Sequence, residues 1–223
     1  MDDEGSTTSR TGARATAAQK TTRVSARGKK IAILVAGMHR SDTSALTCAL
    51  SLLGCDLPKT PSSDPEHWES MVIMNLNDEI LASAGSAWHD WGAFNQGWYA
   101  SPVIDEFRER AQAALESEFG ASRLFVLKDP RICRLLGFWI EAAEVLGASP
   151  LVVSPIRNPL EVAASLEARD GMDPSIAQRL WLRHVLDAEA ASRHLKRSYV
   201  RYDDLIGEWQ ANQVTCGEIK FGA

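Results

Sequence analysis

Apolar positions along the chain follow two patterns in turn. Short runs that are apolar at almost every position mark strands buried on both faces, as in residues 29–37, which close on Gly37. Residues 123–127, 150–154 and 198–202 are similar. Between them lie longer stretches with apolar residues every three or four positions, which predict helices over residues 43–53, 68–83, 102–119, 131–146, 159–168 and 174–194. Ser101-Pro102, Asn158-Pro159 and Asp173-Pro174 place a capping side chain before a proline at the first helical position. Strands alternating with helices of ten or more residues predict a three-layer α/β fold: a parallel sheet of about four to five strands with helices on both faces.

Residues 54–100 interrupt this rhythm. They are rich in Pro, Ser, Asn and Trp and carry Trp68, Trp88, Trp91 and Trp98, an excursion expected above the carboxyl edge of the sheet with its aromatics in core or lid packing. Residues 1–29 mix Ser, Thr, Ala and Arg and are expected to form a disordered basic leader, residues 30–212 the domain, and residues 213–223 a tail. The net charge of −5 hides an imbalance, because residues 1–30 hold seven basic and three acidic groups. The remaining body is therefore acidic, which argues against a broad nucleic-acid surface. No apolar run approaches the ~20 residues that cross a bilayer, and the polar start from Met1 to Lys30 lacks a secretory pattern, so a cytoplasmic location is expected. Cys48, Cys55, Cys133 and Cys216 show neither a C-x-x-C pair nor metal-ligand spacing and are expected to be reduced, with no metal bound.

The sharpest chemical signal is the turn that ends the first strand, Gly37-Met38-His39-Arg40-Ser41-Asp42-Thr43-Ser44, which leads directly into a predicted helix. A strand, a tight hydroxyl-bearing loop and a helix amino-terminus present backbone N–H groups and a positive dipole end to an anion. The usual triphosphate loop reads G-x-x-x-x-G-K-[ST]; here Asp42 holds the second glycine position and Thr43 the lysine position. A second block, Arg157-Asn158-Pro159 through Ser165, follows the third strand. There an arginine can fork onto a phosphate while a serine two helical turns on adds a hydroxyl from the same side.

These two blocks resemble those of the 3′-phosphoadenosine-5′-phosphosulfate (PAPS) dependent sulfotransferases, particularly the bacterial branch with its G-x-x-R-S-G-T-S loop and R-N-P-x-x-V-x-x-S element. Lys128-Asp129-Pro130-Arg131 and the segment from Tyr199 to Asp204 resemble the same branch. The resemblance implies a P-loop-kinase-like fold, PAPS as donor with 3′,5′-adenosine bisphosphate as product, no metal, and a small-molecule, sugar or lipid alcohol as acceptor. It assigns Gly37, His39, Arg40, Ser41, Thr43 and Ser44 to the donor's phosphosulfate, and Arg157 and Ser165 to its 3′-phosphate. Arg40 and Lys128 are then the candidate cations, with Asp129 the expected salt-bridge partner of Lys128 if that lysine is structural. Glu69 is the first candidate base and His67 the second, with His89 and Asp90 a third option. His184 and His194, on a long amphipathic helix, are expected to be structural.

Asp42 stands where the family has glycine. That is expected to place a carboxylate toward the donor's anion and to demand permissive backbone dihedrals. Two alternatives stay open: a weakened relative that binds PAPS or its product, and a nucleotide-dependent kinase on the same fold.

Overall fold

The computed structural model describes residues 29–62 and 67–207. Most of the expected leader, the tail of residues 213–223, Glu66 and Cys216 lie outside the described residues. The element order is β1 (Lys30–Val35), α1 (Thr43–Leu52), α2 (Met71–Ser83), α3 (Val103–Phe119), β2 (Leu124–Lys128), α4 (Ile132–Val145), β3 (Ala148–Ile156), α5 (Pro159–Asp170), α6 (Pro174–Ser192), β4 (Arg197–Arg201) and α7 (Tyr202–Gly207). The strands form one parallel sheet in the order β2-β1-β3-β4.

Alternation along the strands divides the apolar side chains between two layers. Ala32 and Leu34 of β1 and Phe125 and Leu127 of β2 face a core built with α2, α3 and α4. Ile33 and Val35, with Val126 and Val153, face Leu46 and Leu50 of α1. β1 and β2 thus bury both faces, which is why their sequences are apolar at consecutive positions, whereas β4, expected to be buried in the same way, lies at the sheet edge with Tyr199 about half exposed and none of its residues fully buried.

The caps follow the sequence closely. Asn158 and Asp173 accept the first-turn amides of α5 and α6, each with proline inside the start. Ser101 does not cap α3; it closes a short 3₁₀ helix, Gln96–Ala100, and Pro102 precedes α3 directly. The expected excursion is in large part core, because α2 and the buried Trp98 pack beneath the sheet. Residues 67–69 and Trp88, by contrast, reach the residues at the carboxyl ends of the strands. Cys55 and Cys133 are buried and Cys48 is partly buried; all three are free thiols.

The chain adds β2 on one side of β1, then β3 and β4 on the other. This reversal opens a crevice at the carboxyl ends of β1 and β3, the place where ligands bind in open parallel sheets.

Candidate functional site

The β1–α1 loop owes its shape to close approach and to two left-handed residues. A side chain at Gly37 would come within 2.6 Å of Pro155 Cγ and 2.7 Å of Thr43 Cγ2, so only glycine fits. Arg40 (φ 64°) and Asp42 (φ 60°) are left-handed. Aspartate tolerates that region better than most residues, and so Asp42 keeps a backbone that glycine would adopt freely.

Asp42 occupies the N-cap position of α1 but makes no capping hydrogen bond. The first-turn amides of α1, which have no acceptor inside the helix, therefore keep their positive end available to an anion. Ser41 is buried in the same loop, and its Oγ has no hydrogen-bond partner among the described residues.

The Asp42 carboxylate does not aim at those amides. Its Oδ2 lies 3.0 Å from Arg157 Nη1, which also donates to the Arg40 carbonyl at 3.2 Å. Arg157 Nε donates to Glu161 at 3.0 Å, and its guanidinium lies 4.6 Å from the centre of the Tyr202 ring. Arg40 Nε donates to Ser165 Oγ at 2.7 Å. Both residues expected to hold a 3′-phosphate are thus engaged by the loop expected to hold the phosphosulfate. Burial raises the Asp42 carboxyl pKa while Arg157 and Arg40 pull against the shift. Beside this cluster lies a cleft of about 390 Å³ lined by Arg157, Asn158, Trp181, Arg201 and Tyr202.

Lys128 ends β2 on the other side of β1. Its side chain is almost wholly buried, and Nζ donates to Glu69 Oε1 at 2.6 Å, to the His67 carbonyl at 2.7 Å and to Ser44 Oγ at 3.2 Å. Trp68 makes this convergence possible with a left-handed backbone (φ 57°), costly for a bulky residue, that turns the carbonyl of 67 and the side chain of 69 to one ammonium. Burial and the neighbouring Asp129 charge push the Glu69 carboxyl up, against the pull of Lys128.

The expected pairing of Lys128 with Asp129 is corrected. Consecutive residues at a strand end point to opposite sides, and Asp129 accepts instead from Arg131, through its backbone amide at 2.8 Å and Nη1 at 3.2 Å.

The histidines separate. His67 reaches Lys128 by its backbone, with an exposed side chain. His39 packs its ring 4.7 Å from that of Trp88, and its Nε2 is buried without a hydrogen-bond partner. Burial, reinforced by His184 and Arg131, holds His39 well below the usual histidine range. His184 is fully buried, with Nδ1 2.9 Å from the Leu180 carbonyl and its pKa lowered to about 4 by burial. His194 lies beyond the end of α6 and is exposed. Asp90 is occupied locally, accepting from Ser86 Oγ at 2.9 Å and the Gly92 amide at 2.8 Å.

Two buried charges escape a reading by motif. Glu118 accepts from the amides of Lys59 and Thr60 at 2.6 and 3.0 Å, from the Thr60 hydroxyl, and from Ser70 Oγ at 3.1 Å, fixing both stems of the segment that carries Glu69. Arg134 donates to Asp187, to the carbonyl of Asp90 and to that of Gly92. Their signal is periodicity: Glu118 continues the buried stripe of Ile104, Phe107, Ala111 and Ala114, and Arg134 interrupts an otherwise apolar run in α4. Among the described residues no group of three or more His, Cys, Asp or Glu could hold a metal ion, and no helix is long and apolar enough to cross a membrane.

No protein-family model matches the chain, and no curated protein matches it in sequence. Among solved structures it is similar to the "Sulfotransferase Domain from the Synechococcus PCC 7002 Olefin Synthase", at 18% identity over 80% of this chain and 69% of that chain, with a TM-score of 0.43.

Proposed function

We propose that this chain is a sulfotransferase that moves the sulfuryl group of PAPS to the hydroxyl of a small-molecule, sugar or lipid acceptor. The observation that carries the reading is the pair of anion-binding elements at one sheet edge: an uncapped α1 amino-terminus with Ser41, Thr43 and Ser44, and the Arg157–Ser165 element that Arg40 and Asp42 tie to it. One element suits a 5′-phosphosulfate and the other a 3′-phosphate. The cleft beside Arg157, with Tyr202 and Trp181 in its wall, offers aromatic faces to the donor's purine.

In this reading the S–O bond to the donor's 5′-phosphate breaks, a new S–O bond forms to the acceptor oxygen, and 3′,5′-adenosine bisphosphate leaves. Lys128, bonded to Ser44 in the first turn of α1, places its positive charge beside the anion site where charge develops on the leaving oxygen. Glu69, on the same ammonium, takes the acceptor's proton, and its raised pKa makes it a stronger base than an ordinary carboxylate. His67 is the second candidate. In the third option Asp90 is spent on its own turn, which leaves His89, beside Trp88, as its remaining candidate.

The test is thermal denaturation with 3′,5′-adenosine bisphosphate, with adenosine 5′-phosphate and with ATP plus Mg²⁺, followed by labelled PAPS against a panel of phenolic, sugar and lipid alcohols. The bisphosphate is expected to stabilise the fold by about 2.7 kcal/mol at a hundredfold excess over its Kd, and at least one alcohol to acquire label. Stabilisation by ATP and Mg²⁺ without any by the bisphosphate would establish the kinase alternative instead. Binding of the bisphosphate without label transfer to any alcohol would favour the weakened relative.

A further inference from the structure

An aspartate at an N-cap ordinarily turns its carboxylate onto the first-turn amides. Asp42 has the position but an αL backbone in place of the extended one of an ordinary N-cap, and its carboxylate leaves the helix and meets a guanidinium 115 positions away in sequence. Arg157 is thereby ion-paired on two sides, to Asp42 through Nη1 and to Glu161 through Nε, each at 3.0 Å. Its partner in the same element, Ser165, is held by Arg40. A carboxylate on a guanidinium presents the charge and geometry that a phosphate oxygen would present there.

We infer that Asp42 is a specificity-determining residue, an internal anion seated on Arg157 where the 3′-phosphate of an adenosine nucleotide would sit. This rests on the donor reading proposed above. A 3′-phosphorylated nucleotide must displace the carboxylate before it can use the guanidinium, whereas a nucleotide bearing only a 5′-phosphate need not. The chain therefore discriminates weakly between the two, and the strength of the Asp42–Arg157 pair sets how weakly.

The experiment is calorimetry of 3′,5′-adenosine bisphosphate and adenosine 5′-phosphate against the full chain and against Asp42→Asn, Asp42→Gly and the two double variants with Arg157→Ala. Asparagine and glycine both accept the left-handed backbone, so the loop keeps its shape while the charge is lost. In the full chain the two ligands should bind within about tenfold of each other. Asp42→Asn and Asp42→Gly should each widen that ratio at least tenfold, which is about 1.4 kcal/mol, by tightening the bisphosphate and not the monophosphate. In the Arg157→Ala background the same substitutions should leave the ratio unmoved.

An unchanged ratio, or weaker bisphosphate binding in both single variants, would overturn the inference and leave the donor reading standing, since Asp42 would then be orienting Arg157 toward the phosphate. Failure of every variant to bind the bisphosphate would overturn the donor reading itself and this inference with it.

Discussion

A lysine ammonium taken out of water is tolerable only while its charge is matched and its three donors are used. Lys128 meets both conditions through Glu69, the His67 carbonyl and Ser44. Lys128→Met, close in shape, strands the Glu69 carboxylate in the same buried place and is expected to cost about 3–5 kcal/mol at neutral pH. The pH dependence has a definite sign. Glu69 is already raised by burial and by Asp129, and losing the cation that opposes the shift raises it further. A carboxyl whose folded pKa lies above its unfolded one binds more protons when folded, so stability is lost as pH rises through that interval. Urea denaturation at pH 5 and pH 8 should therefore show a larger loss of stability on going to pH 8 in Lys128→Met than in the unaltered chain.

Where β1 leaves the sheet, β3 leaves beside it and α1 begins above them, three elements share one glycine. Gly37→Ala would put a methyl group against the Pro155 ring and the methyl of the buried Thr43. The expected loss is about 1–3 kcal/mol of stability, the usual range for overpacking, together with weaker binding of 3′,5′-adenosine bisphosphate. Chemical denaturation and calorimetry on the variant check the two effects separately. This junction was largely legible in the sequence, because consecutive apolar positions followed by Gly37 leave few alternatives to a buried parallel strand turning tightly into a helix. The other strands and the proline-led starts of α5 and α6 were legible in the same way, whereas the meeting of Glu69 and Ser44 at Lys128 was not. The 3₁₀ helix and α7 were not, since each is one or two turns long and has no apolar period to register. Side-chain partners across long separations were also out of reach: motif and spacing place Arg157 and Asp42 at one edge but say nothing of which way a carboxylate turns.

Across the whole molecule, the partly buried His39 in the β1–α1 loop and the fully buried His184 in α6 both have their pKa lowered by burial. For a histidine whose folded pKa lies below its unfolded one, the stabilisation is present above the unfolded value and is lost as pH falls toward the folded value. With His184 lowered from 6.5 to about 4, that loss is on the order of 3 kcal/mol between those limits. Replacing it by leucine should flatten the stability curve below pH 6.5 relative to the unaltered chain, as read by thermal denaturation over pH 4 to 7.

The central place of β1 also sets the order of events during synthesis. It is made first, yet both its neighbours come later: β2 ends at Lys128, and β3 is complete only at Ile156, about 120 residues after Val35. At the usual pace of translation, β1 waits about 6 to 24 s on the ribosome before its second neighbour exists. Until Lys128 is made, the apolar run of Lys30–Val35 has neither of its strand partners, and through that part of the wait it is a segment exposed to mispairing that a chaperone would cover.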